Sequence, residues 1–93
     1  MIIGHKKIPC PVCGYPLDFS PWNGNLPSDE ICPCCGTQFG YHDFAGGELD
    51  KRPAKHSELR RRWIAAGMRW SDSLGKPPNW NPQKQLLDAG IKP

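Results

Sequence analysis

The sequence predicts a small α+β domain: a metal-held ribbon of short antiparallel strands, then one main helix and a short terminal helix. Three observations carry this reading. The cysteines fall in two matched knuckles, Cys10-Pro11-Val12-Cys13-Gly14 and Cys32-Pro33-Cys34-Cys35-Gly36. Short alternating apolar runs broken by proline and glycine surround them, as brief strands require. Beyond Gly47 the apolar residues change to a helical period that includes two tryptophans.

The knuckles are the first element to justify. Together they read C-x2-C-x18-C-x2-C, a spacing typical of a four-thiolate zinc site. Two thiolates share one ion only if the chain between them turns tightly; proline after the first cysteine fixes φ, and glycine after the second admits a left-handed conformation. The predicted metal ligands are therefore Cys10, Cys13, Cys32 and Cys35, around one zinc ion per chain. Backbone N–H groups pointing at the sulfurs are expected to offset the surplus negative charge. Cys34 as a ligand would break the symmetry between the knuckles, so it reads as a spare thiol beside the site, with redox sensitivity as its sharper interpretation.

Paired disulfides are the competing reading of the same cysteines. Their count of five is odd, and the start Met1-Ile2-Ile3-Gly4-His5-Lys6-Lys7 lacks the apolar run of a signal peptide. Nothing in the chain approaches the length of a membrane span. A reducing, cytoplasmic setting with no membrane association is the expectation.

At 93 residues the chain reads as a single domain, 1–93, with a zinc-ribbon half, 1–46, and a helical half, 47–93, packed on it. Such a chain buries only about 60 to 65 per cent of its unfolded surface. Eleven prolines and ten glycines favour turns over long elements. Zinc, with apparent binding free energies of about 10 to 16 kcal/mol in small peptides, offsets the thin core. Folding of the N-terminal half is thus expected to depend on metal.

The net charge of +3 conceals a division. Residues 1–50 carry Lys6 and Lys7 against six acidic residues, net −4, whereas residues 51–93 carry ten basic and three acidic residues, net +7. Either the halves attract one another within the fold, or the basic half meets nucleic acid or an acidic protein.

Along the ribbon, His5 to Ile8 is expected as a strand entering the first knuckle, and Tyr15 to Phe19 as a half-buried edge strand limited by Pro16. Ser20 to Ser28 reads as a loop from which Trp22 packs back. Asp29 to Ile31 then leads into the second knuckle and Thr37 to Tyr41 leads out of it. The neighbours His42 and Asp43 suggest an acid/base pair, but adjacent extended residues face opposite ways, so a surface histidine and a loop aspartate are expected.

The Cys10-to-Tyr15 and Cys32-to-Gly36 segments resemble the rubredoxin-like zinc ribbons and, more distantly, rubredoxin. Asp29-Glu30-Ile31-Cys32-Pro33-Cys34-Cys35 is similar to the small uncharacterised bacterial cysteine-rich CPCC family. The resemblance spans about residues 8–44 and implies a ribbon with one metal. The closer knuckles and the proline following Cys10 depart from rubredoxin and favour zinc over iron, although four sulfurs accommodate either ion.

A helix is predicted from about Arg52 to Leu74, with Pro53 in its first turn and Ser57 as an alternative cap. Leu59, Trp63, Ala66, Gly67, Trp70 and Leu74 fall within about 100° of arc. Gly67 on that stripe would admit another backbone. Ile64 and Met68 either widen the core face or form a second apolar contact. Arg60, Arg61, Arg62 and Arg69 read as a solvated basic face or a phosphate-tracking one, with the inward tryptophans favouring the former. In the tail, Asn81 caps a short helix begun by Pro82, Leu86 and Leu87 anchor it on the longer helix, and Gly90 ends it.

No nucleophile and base stand together, so catalytic residues are not expected. The leading function is a non-catalytic zinc-stabilised binding module for a protein partner. The alternatives are an iron electron carrier and a nucleic-acid-binding ribbon using Lys51, Arg52, Lys55 and Arg60 to Arg62.

Overall fold

The computed structural model describes residues 7–91, which form the expected small α+β arrangement of two short antiparallel strand pairs, a main helix and a short terminal helix. Strands β1 (Ile8–Pro9) and β2 (Pro16–Leu17) close the first knuckle, with Ile8 opposite Leu17 and Pro9 opposite Pro16. Facing prolines offer no N–H to the ladder, and beyond them it continues only as the bond from the Cys10 N–H to the Tyr15 carbonyl. Of the predicted strand His5 to Ile8, residues 5 and 6 lie outside the described range. The second knuckle is closed more thinly, by one bridge between Ile31 and Gln38.

The segment from Ser20 to Ser28, expected as a loop, contains a hairpin of β3 (Trp22–Asn23) and β4 (Leu26–Pro27). Its two-residue turn places Gly24 at φ 61°, the positive value demanded of the first residue in a primed hairpin turn.

Two single turns of 3₁₀ helix, Ala45–Gly47 and Leu49–Lys51, lead into α1 (Arg52–Ala65). The helix is shorter than predicted. Gly67 adopts φ 101°, its N–H bonds to the Ile64 carbonyl at 3.0 Å, and the Met68 N–H bonds to the Trp63 carbonyl at 2.9 Å. This is a Schellman cap, so Gly67 ends the helix instead of admitting a neighbouring backbone. Trp70 and Leu74 therefore lie beyond α1, and Leu74 is exposed.

The terminal helix α2 (Pro82–Asp88) starts as expected, with Asn81 Oδ1 accepting from the Lys84 N–H at 3.0 Å. Gly90 and Ile91 donate to the Leu87 and Leu86 carbonyls in a second Schellman cap. Leu86 is buried but Leu87 is exposed. Rather than lying along α1, α2 is seated against the first knuckle, where a β-carbon on Gly14 would come within 2.9 Å of Ala89 Cβ.

The core is continuous with the cysteines: Val12, Leu17, Phe39, Trp63 and Leu86 pack in one cluster with Cys10, Cys13, Cys32 and Cys34. Leu59, Ile64 and Met68 pack against it, so the latter two widen the core face. Trp70 joins it from outside the helix, edge-on to both Tyr15 and Trp80.

Candidate metal centre

Each knuckle is built by the same pair of backbone hydrogen bonds. The Cys10 N–H donates to the Tyr15 carbonyl and the Gly14 N–H to the Cys10 carbonyl, both at 2.8 Å. In the second knuckle the Cys32 N–H donates to Thr37 and the Gly36 N–H to Cys32, both at 2.9 Å. Gly14 and Gly36 close these turns at φ 85° and 79°, conformations that L side chains rarely adopt.

These turns bring the sulfurs of Cys10, Cys13, Cys32 and Cys35 to within 4.8 Å of one another. Two contacts cross between the knuckles, Cys10 to Cys35 at 3.8 Å and Cys13 to Cys32 at 3.7 Å. A tetrahedral ion with metal–sulfur bonds of about 2.3 Å needs sulfur–sulfur edges of about 3.8 Å. The residues thus fit a metal ion, which these four cysteines would hold in a closed shell. All five cysteines are free, so the separations are those of neighbouring thiols and not of disulfides.

The surroundings treat the four thiols unequally. The Val12 N–H points at Cys10 Sγ at 3.4 Å, and the Cys35 thiol donates to the Thr37 hydroxyl oxygen at 3.2 Å. Hydrogen bonds with Cys10, Cys13 and Cys32, joined by Thr37, hold the Cys35 thiol well below its usual range despite burial. Cys13 is pushed the other way, first by its hydrogen bond with Cys10. Protons retained in the cluster must leave when a cation enters, so metal binding here is linked to proton release.

Both knuckles are gripped from the helical half at equivalent positions. Arg60 donates from Nε to the Val12 carbonyl at 2.8 Å and from a terminal nitrogen to the Pro11 carbonyl at 2.7 Å. On the second knuckle the matching carbonyls, Pro33 and Cys34, accept from the backbone N–H groups of Asp72 at 2.9 Å and Ser71 at 2.7 Å. Gln85 of α2 adds a bond from Nε2 to the Cys13 carbonyl at 2.9 Å, while its Oε1 accepts from Trp80 Nε1 at 2.7 Å. Burial lowers the Arg60 pKa, and the charges of Cys10 and Cys13 raise it.

Searched against known families, curated proteins and solved structures, the chain matches none. What the geometry supports is a zinc-ribbon-like cluster of four cysteines able to hold a metal ion.

Cys34 lies outside the four-sulfur group, fully buried, with Gln85 Nε2 at 3.4 Å from its sulfur. His42 is exposed, and its Nδ1 accepts from the Gln38 N–H at 2.8 Å. Asp43 departs from the expected loop aspartate. It is fully buried; Oδ1 accepts from the Gly40 N–H, and Oδ2 faces both Trp22 Nε1 and His56 Nε2, each bond 2.7 Å long. Burial pushes the Asp43 carboxyl up, and the bonds from His56, Trp22 and Gly40 more than reverse this, leaving it lowered.

The basic helix is largely occupied within the fold. Lys51 pairs with Glu48, and Lys55 and Arg62 pair with Glu58. Arg52 stacks 3.5 Å over the Trp22 ring and donates to the Gly24 carbonyl, and Arg60 is held by the first knuckle. Of the cations considered for nucleic acid, Arg61 and Arg69 make no ion pair or side-chain hydrogen bond among the described residues. Trp63 is buried against the core, away from any base that might stack on it. No described helix is long and apolar enough to cross a membrane.

Proposed function

We propose that this chain is a non-catalytic, zinc-stabilised binding module for a protein partner. The observation that carries the reading is the closed cluster: four cysteine sulfurs within 4.8 Å of one another, three of the residues fully buried, leave no ligand position for a substrate. Zinc in such a shell supplies folding free energy and no redox chemistry. The partner reading draws support from a different face. Phe44 and Leu49, 55% and 46% exposed, stand with Trp22 and Arg52 around a cavity of about 160 Å³. Large apolar side chains gathered round a depression suit a protein contact.

The test is a Phe44→Ser, Leu49→Ser double variant. It is expected to keep its metal and its fold while losing the partner that the unaltered protein retains. Retention of that partner at unchanged affinity contradicts the assigned surface, and turnover abolished by changing a single residue outside the cysteines contradicts the non-catalytic reading.

A further inference from the structure

Cys13 and Cys35 are equivalent members of the two knuckles, yet their surroundings differ. Cys13 is fully buried, beneath α2 where Gln85 bonds its carbonyl. On the second knuckle the backbone N–H groups of Ser71 and Asp72 bond the Cys34 and Pro33 carbonyls, and the Ser71 side chain lies against Gly36, leaving the opposite side of Cys35 open. Cys35 is the one cysteine of five that is only partly buried. It opens onto a groove of about 290 Å³ whose walls are mainly apolar, formed by Val12, Leu59, Trp63 and Ala66, with Arg62 among the lining residues. A thiol that is partly exposed is more open to attack by a reagent than one that is fully buried.

We propose that Cys35 is the labile corner of the metal centre, and that the groove admits a small, neutral, soft electrophile of the α,β-unsaturated carbonyl class. This rests on the four-thiolate reading above. The Cys35 thiolate adds its electron pair to the β-carbon. A sulfur–carbon bond forms, the carbon–carbon π bond breaks, and the resulting enolate takes a proton from water. A thioether at Cys35 would be a much weaker ligand than a thiolate, so a metal ion held by Cys10, Cys13, Cys32 and Cys35 would lose its fourth strong donor. Electrophile binding thereby becomes metal release, a means of switching a metal-stabilised fold.

The probe is N-ethylmaleimide, added in substoichiometric steps to protein whose metal content has already been measured. Adducts are located by peptide mass spectrometry and released metal is read with a chromogenic chelator. The first adduct is expected on Cys35, with one metal released per adduct. A first adduct on any other cysteine, or Cys35 modified with metal retained, overturns the proposal. Protein that holds no metal before the reagent is added overturns the four-thiolate reading itself, and the proposal with it. Ala66→Leu, at an exposed position lining the groove, should slow the Cys35 reaction severalfold with metal content unchanged; an unaltered rate overturns the role given to the groove.

Discussion

Arg60 donates to the Val12 carbonyl at 2.8 Å, across 48 residues of sequence, and the same guanidinium takes the Pro11 carbonyl. Two carbonyls exposed by a metal knuckle are thereby satisfied by one fork. Arg60→Met should lower the unfolding free energy by about 1–3 kcal/mol, because both acceptors lose their partner. It should also speed metal extraction by a chelator. Arg60→Lys should not restore the wild-type rate, since an ammonium is a point donor and not a planar fork. Extraction rates indistinguishable among the three proteins would contradict this role.

Gly14 presents two demands at once. Its φ of 85° costs an L residue about 1–2 kcal/mol, and an added β-carbon would lie 2.9 Å from Ala89 Cβ and 3.1 Å from the Gln85 carbonyl oxygen. Gly24 shares the positive φ but has open space around it. Gly14→Ala should therefore lower the melting temperature more than Gly24→Ala, with α2 displaced from the knuckle. Equal losses in the two variants would show that α2 does not constrain this turn.

Asp43 joins the β3–β4 hairpin, the turn after the second knuckle and α1 through Trp22, Gly40 and His56. Removing the carboxylate leaves its buried partners unsatisfied at about 1–3 kcal/mol each, so Asp43→Ala should be strongly destabilised. The lowered carboxyl pKa also fixes the sign of a pH effect. The carboxylate's contribution is complete above its unfolded value of about 3.9 and is lost as pH falls through the lower folded value. The stability gap between wild type and Asp43→Asn should accordingly shrink as pH is lowered below about 4. A gap that widens on acidification would mean that the carboxyl is not held in its charged form.

The distribution of polar contacts explains what was legible beforehand. The knuckles announce themselves because few other uses require cysteine, proline and glycine at that spacing, and Asn81-Pro82 with Gly90 marks α2 by the same local logic. The face by which α1 docks was hidden. Arg52, His56, Leu59, Arg60 and Trp63 lie within about 100° of arc, and three of these five are polar residues that bond to the ribbon half. Apolar periodicity cannot find a stripe on which arginine and histidine face inward. It selected Trp70 and Leu74, which the Gly67 cap removes from the helix. Asp43 was misread for the same reason: its three partners come from segments distant or irregular in sequence, and only tertiary structure assembles them. The +7 half does meet the −4 half, largely through side chains directed at backbone carbonyls and one carboxylate.

The central claim is that four cysteines hold one metal ion on which the fold depends. Elemental analysis of protein purified without added metal, together with its visible spectrum, tests this most directly. The account predicts about one zinc per chain in a colourless protein. One iron with visible absorbance would replace zinc by a redox metal, and protein with neither metal and its cysteines paired as disulfides would contradict the claim outright.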